Sequence, residues 1–372
     1  MNSRQRVLSA LNHNIPDRVP IDFGGFLSGI HWKAYLKLID YLGIKDELII
    51  LDPAQQLAEP CEQLLQRLRA DIRYINLNQS FKPNTQNSFK DEFGIAWTFQ
   101  DEQHNYMYIS NPPLANSSIA EIKNYSFQDS TTQNLFTDLR KQALIKSQNS
   151  SFALSTPIGG SLLETCSNLR GIENWFIDTM ESPLLCEILL DKVLKYWMDF
   201  YTDLLKEIGD IVDIVIIGDD LAGQNGPLFS LDFYRTTIKP RQQELMKHIK
   251  SLTNAKICYH TCGSCFDFIP DLIDIGIDIL NPVQIGLKKM DPQKIKDEFG
   301  KHISLWGGAI NAHQLLSFSN REKIRRDAKY NINIFKSNTG YIFSSTHNIQ
   351  FDVPPENIVT LFDAAFEYGS YL

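Results

Sequence analysis

No apolar run in this chain approaches the ~20 residues that a membrane-spanning helix needs, and the opening MNSRQRVLSALNH leads into no apolar stretch of signal-peptide type. A cytoplasmic protein with no membrane attachment is expected. Basic blocks are missing too. Thirty-six Lys and Arg against 44 Asp and Glu leave a formal charge of -8, so no patch can neutralise a row of phosphates and nucleic acid is excluded as a partner. Cysteine is scarce, six in 372 residues, which is too few for a disulfide scaffold in a chain of this size. Fixed-period repeats, low-complexity tracts and Pro/Gly/Ser linkers are all absent, so residues 1–372 read as one domain with an early insertion. What is present is the composition of a globular protein: 43% hydrophobic and 22% charged residues exclude disorder as the main state.

Eight short β-like runs punctuate the chain, at residues 19–23, 71–76, 152–156, 212–217, 256–260, 277–281, 303–306 and 341–344. From the third onward, most are followed by amphipathic stretches long enough for a crossover helix, such as residues 231–251, 292–299, 321–335 and 355–368. Eight strands alternating with helices imply an α/β fold, a single (β/α)8 TIM barrel. The doubly wound open sheet is the alternative, but Gly24-Gly25 lacks the G-x-G-x-x-G loop that such a sheet usually carries after its first strand. Residues 91–113 break the alternation. Two aromatic-rich alternating runs, 95–99 and 106–109, flank a polar turn and read as a β-hairpin inserted after strand two. The insertion suits either a cover over the barrel mouth or a subunit contact, and so leaves a homodimer open.

Active sites of such barrels lie at the carboxyl ends of the strands, where this chain collects polar residues. The mouth is therefore expected to hold the largest pocket. Strand one ends in Asp22-Phe23-Gly24-Gly25, strand four in Gly218-Asp219-Asp220, strand five in His260-Thr261-Cys262-Gly263, strand six in Asn281-Pro282-Val283-Gln284, strand seven in Gly307-Gly308 leading to Asn311, and strand eight in His347-Asn348. One of Asp219 and Asp220 can serve merely to cap a turn. Two adjacent carboxylates are nevertheless costly to bury unless a cation, a proton or a ligand offsets them. His260 and Cys262 stand two residues apart, so imidazole and thiol point to one side of the strand and can bind one Zn²⁺. A third ligand is required, and Cys265, which extends the set to HxCxxC, and His347 across the mouth are the candidates. Cys258 reads as a small buried hydrophobe.

The strings RVLSALNHNIPDRVPIDFGG, DEFGIAW with NPPL, GDDLAGQNGPLFSLDFYRTTIKPR, HTCGS, GIDILNPVQ, WGGAINAHQLL and HNIQFDVPPENI together resemble the uroporphyrinogen decarboxylase superfamily, specifically its methyltransferase-like branch. The resemblance covers nearly the whole chain. It implies a (β/α)8 barrel and either of two chemistries: cofactor-free decarboxylation of uroporphyrinogen, or methyl transfer between a corrinoid protein and a thiol or methylated substrate. Thiol-methylating members hold Zn²⁺ through a His-x-Cys pair and a later Cys. His260 and Cys262 occupy the pair, while Ser344-Ser345-Thr346-His347 stands where the later Cys is expected, so that His347 would have to substitute. Two further departures are Asn311, where relatives commonly have Asp, and His313, where they have Gln.

The decarboxylases carry an arginine-containing segment, MRQAGR, soon after the first strand to meet substrate carboxylates. Here no Arg lies between Arg18 and Arg67, and Asp219 and Asp220 make a polycarboxylate still less welcome. The expectation is a zinc-dependent methyltransferase. Its catalytic groups would be Asp219 and Asp220, its substrate-binding groups Asp22, Gln284 and Asn311, and its metal ligands His260, Cys262 and His347. The substrate is a small molecule, and the corrinoid would sit on a partner protein, since the chain has no D-x-H-x-x-G signature of cobalamin-binding modules. A decarboxylase of a smaller acid and a non-catalytic small-molecule binder are the alternatives.

Overall fold

The computed structural model describes residues 1–77, 88–100, 105–127, 136, 138–148, 151–311 and 316–371. His313 lies outside the described residues. Seven strands, β1 (Ile72–Tyr74), β2 (Ala153–Gly159), β3 (Ile214–Gly218), β4 (Lys256–His260), β5 (Ile279–Asn281), β6 (Ser304–Trp306) and β7 (Tyr341–Ile342), pair in chain order. Every pairing is parallel. Residues 19–23 close the curl from β7 back to β1: Asp22 N–H donates to the Phe343 carbonyl (2.8 Å), Phe343 N–H to the Pro20 carbonyl (2.8 Å) and Asp71 N–H to the Ile21 carbonyl (2.7 Å). The expected (β/α)8 barrel is present.

Strands buried on both faces need apolar residues at every position, and β3, Ile-Val-Ile-Ile-Gly, is buried throughout. Alternate residues of the strands fill the barrel interior, among them Ile214, Ile216, Cys258, Ile279, Trp306 and Ile342. Outward residues such as Val215, Ile257 and Leu280 join the larger core under the helices. The 26-residue helix Pro183–Ile208 begins with proline and buries Leu189, Val193, Trp197, Phe200 and Leu204 along one stripe. No described helix is long and apolar enough to cross a membrane.

At the amino ends of the strands, the helix Ser3–Leu11 plugs the barrel with Val7 and Leu11. Fully buried Asp71 holds this end together by pairing with Arg6 and Arg18, each at 2.7 Å. Asp213, just before β3, pairs with Arg4 at 2.9 Å.

The expected hairpin is the latter part of a three-stranded antiparallel sheet, Ser88–Lys90, Ala96–Phe99 and Met107–Asn111. Its turn, 101–104, lies outside the described residues. A second excursion, unforeseen from sequence, follows residues 19–23: Ile30–His31, Ile50–Asp52 and Leu57–Ala58 pair antiparallel. Strands of two or three residues are too short to show a period. Met107 N–H donates to the Ala54 carbonyl (2.9 Å), tying the two excursions together.

Candidate functional site

The carboxyl ends of the strands open into a cavity of about 490 Å³. Gly218 and His260 lie at the strand ends, Ser161 and Glu164 follow β2, Asp52 and Gln55 come from the first excursion, and Glu92, Trp97 and Tyr106 from the hairpin sheet. The insertion thus covers the mouth. Size does not single this cavity out as expected. A cavity of about 720 Å³ lies at the opposite end, between Arg4, Ser151, Asp210 and Asp213, where the short connections to the strands leave a polar groove.

The metal candidates converge at the ends of β3 and β4. Asp220, His260 and Cys262 each present a ligand atom, and these atoms all lie within 4.8 Å of one another. Three local features bring them together. His260 stands two residues beyond inward-facing Cys258, so the strand period aims its ring toward the mouth. Its Nδ1 meets the Asn281 side-chain oxygen at 2.7 Å, leaving Nε2 3.4 Å from Cys262 Sγ. Asp220 accepts the Cys262 backbone N–H at 2.7 Å. The turn after β4 can approach the turn after β3 so closely only because residue 263 is glycine. Its φ is +85°, and a β-carbon there would run into the Ala222 carbonyl.

Electrostatics at this cluster favour a cation. Burial, then Asp220 and Glu164, push the Cys262 thiol well above its ordinary range. Glu164 exposes its side chain to the cavity, whose walls nonetheless strip water from its carboxylate. Burial first, then Asp220 and Asp219, push it up to about 7. Nitrogen, sulfur and oxygen donors together suit zinc, so the residues present fit that ion.

Asp219, next in sequence to Asp220, faces the other way. Its carboxylate accepts Leu162 N–H (3.0 Å), Leu163 N–H (2.8 Å), Glu164 N–H (2.9 Å) and the Ser161 hydroxyl (3.2 Å). The helix Leu163–Arg170 has no side-chain cap of its own, and Asp219 supplies one from β3. Burial pushes its carboxyl up to about 7, opposed by those N–H donors. Gln284 accepts Gly263 N–H at 2.6 Å and so braces the Cys262 turn. Asn311 lies against Gly286, where a β-carbon would strike its amide. Asp22 is fully buried within the barrel, accepting from the Ser28 and Tyr74 hydroxyls. His347 lies beyond β7 and is not in the cluster around Cys262, and Cys265 is packed in the hydrophobic core. The structure therefore joins Asp220, rather than His347 or Cys265, to the His260–Cys262 pair.

Sequence reasoning passed over Asn281 as a partner of His260, and Glu164 and Glu92 altogether. Asn281 was legible as a strand end directly beside His260. Glu164 lies five residues beyond the end of β2, past a turn and at a helix start, where pattern assigns no direction to the side chain.

The profile of the family described as uroporphyrinogen decarboxylase (URO-D) matches residues 91–368. The chain belongs to the uroporphyrinogen decarboxylase family. Curated relatives include a uroporphyrinogen decarboxylase of Ruthia magnifica subsp. Calyptogena magnifica, 26% identical over 192 residues, 51% of each chain. One from Vesicomyosocius okutanii subsp. Calyptogena okutanii (strain HA) is 32% identical over 76 residues, 20% of this chain and 21% of that one. The match thus spans about half the length of the first relative and a fifth of the second. Among solved structures, a methyltransferase from Methanosarcina mazei shares the fold across 99% of both chains, with a TM-score of 0.66 and 18% identity.

Proposed function

We propose that this member of the uroporphyrinogen decarboxylase family is a zinc-dependent methyltransferase, moving a methyl group between a corrinoid on a partner protein and a thiol or small methylated substrate. The observation that carries this reading is the convergence of Asp220, His260 and Cys262 at the strand ends, with His260 also lining the covered cavity. These three residues would hold the ion. Zinc, when bound, lowers the pKa of a thiol or polarises a leaving heteroatom. Asn281 accepts the Nδ1 proton of His260, which fixes the ring and leaves the Nε2 lone pair for a ligand bond. Asp219 holds the helix that carries Glu164 in place, and Glu164 is positioned to take or release a proton at the cavity wall. Gln284 keeps the Cys262 turn in register. The six free cysteines accord with a cytoplasmic setting.

The matched family is named for decarboxylation, and that name favours, as a second reading, cofactor-free decarboxylation of an acid smaller than uroporphyrinogen. The acidic mouth argues against a polycarboxylate. The test is a methyl-transfer assay with methylcobalamin as donor and a panel of small thiols as acceptors, run on zinc-loaded protein. Zinc-dependent thiol methylation that Cys262→Ala abolishes is expected. Release of CO₂ from small carboxylic acids without zinc, in place of methyl transfer, would establish the second reading and overturn the first.

A further inference from the structure

The cavity that His260 lines at the carboxyl ends of the strands has an unusual lining. Four carboxylic acids, Asp52, Asp91, Glu92 and Glu164, face or border it, and among the described lining residues there is no Lys or Arg. Two of the four are committed locally. Asp52 accepts the N–H groups of Ala54 and Gln55, and Asp91 those of Phe93, Ile95 and the Trp97 indole. The other two are not. Glu92 meets only its own backbone N–H among the described residues, and Glu164 receives only the Ser161 hydroxyl at 3.4 Å. Much of the remaining lining is aromatic: Phe93, Trp97, Tyr106 and Trp197 all border the space. Trp197 is fixed by its indole N–H on the Ser161 carbonyl (2.9 Å), and Phe93 lies 5.7 Å from it, centroid to centroid.

Carboxylates and aromatic side chains in one lining are the complement of a bulky, weakly hydrated cation. A compact ammonium would leave the aromatic surface unused, and an anion would meet uncompensated carboxylates. We infer that the cavity binds a small N-methylated ammonium, held by Glu92 and Glu164 and by the faces of Trp97, Tyr106 and Trp197. The inference rests on the methyltransferase reading only in naming this ligand as the methylated substrate; the binding itself does not depend on it.

Choline and tetramethylammonium are suitable probes, with 3,3-dimethyl-1-butanol as the neutral isostere of choline. Calorimetric titration of the full-length protein, with and without added zinc, should show both cations binding at least tenfold more tightly than the alcohol. Glu164→Gln and Glu92→Gln should each weaken the cations at least fivefold and leave the alcohol unchanged. Asp210→Asn, at the far end of the barrel, should have no effect. Equal affinity for choline and its isostere, or no cation binding by the wild-type protein, overturns the inference, and neither result depends on how the variants fold. The two readings fail separately. Cation selectivity without any methyl transfer would sink the proposed function alone, and methyl transfer from a neutral donor with no cation selectivity would sink the inference alone.

Discussion

The two ends of the barrel treat carboxylates in opposite ways. At the amino ends of the strands, Asp71 is paired with Arg6 and Arg18, Asp213 with Arg4, and Asp17 with Arg6. At the carboxyl ends, Asp52, Asp91, Glu92, Glu164, Asp219 and Asp220 gather, and none of them has an ion pair among the described residues. The acid–base consequences diverge accordingly. Its hydrogen bonds with Arg6 hold Asp17 well below the usual carboxylate range, whereas burial raises Glu164 and Asp219 to about 7. One end is built to be stable. The other gathers carboxylates without cationic partners, and perturbed carboxyls of this kind cluster at functional sites.

The largest expected effect is at the closed end. Asp71→Asn leaves Arg6 and Arg18 without their shared partner and should cost about 3–5 kcal/mol in denaturant unfolding. A loss under about 1 kcal/mol would erase the distinction between the two ends.

Inside the barrel, burial pushes the Asp22 carboxyl up to about 7, against the pull of the Ser28 and Tyr74 hydroxyls. Its folded-state value is thus raised above the unfolded one. Its contribution to stability is complete below about pH 4 and is lost as pH rises through about 7. Asp17 has the opposite sign, its contribution being present above the unfolded value and lost as pH falls. Asp22→Asn should therefore flatten the decline between pH 4 and 7, and at pH 8 should gain on the order of 2 kcal/mol over wild type. An unchanged slope in denaturant unfolding across that range would place the titrating group elsewhere.

Two milder changes probe the open end. Asn281→Ala frees the His260 ring and should weaken zinc binding about tenfold or more in competition with a chelator, with the far-ultraviolet dichroism unchanged. Unaltered affinity would show that His260 needs no such orientation. Asp219→Asn weakens the cap on the helix Leu163–Arg170 and should cost about 1 kcal/mol at pH 8 while zinc is retained. Loss of zinc from this variant would move Asp219 from the helix to the metal.

The barrel was legible because its strands are buried on both faces and read as continuous apolar runs, as Ile-Val-Ile-Ile in β3 does. The His260–Cys262 pair was legible because an i, i+2 spacing at the end of a strand points to one side, and the turn that follows β4 keeps Cys262 beside the ring. Which of two neighbouring carboxylates joins them was not. Asp219 and Asp220 differ by one step along a turn, and their directions are set by a distant helix lacking a cap and by the Cys262 N–H, neither of which leaves a local pattern. His347 satisfied the count of ligands, but sequence carries no information on how far the segment beyond β7 reaches across the mouth. The small sheet containing Ile30–His31 escaped notice because its strands are shorter than any period, and with it went the contribution of Asp52 to the cavity.

The central claim is that Asp220, His260 and Cys262 form one metal site, and zinc content measures it most directly. Purified without chelator, the wild-type protein should carry about one zinc per chain by elemental analysis. Cys262→Ala and Asp220→Ala should lose it while remaining folded, and His347→Ala and Cys265→Ala should keep it. A metal-free wild type under zinc-replete conditions, or full retention by Cys262→Ala, would contradict the account.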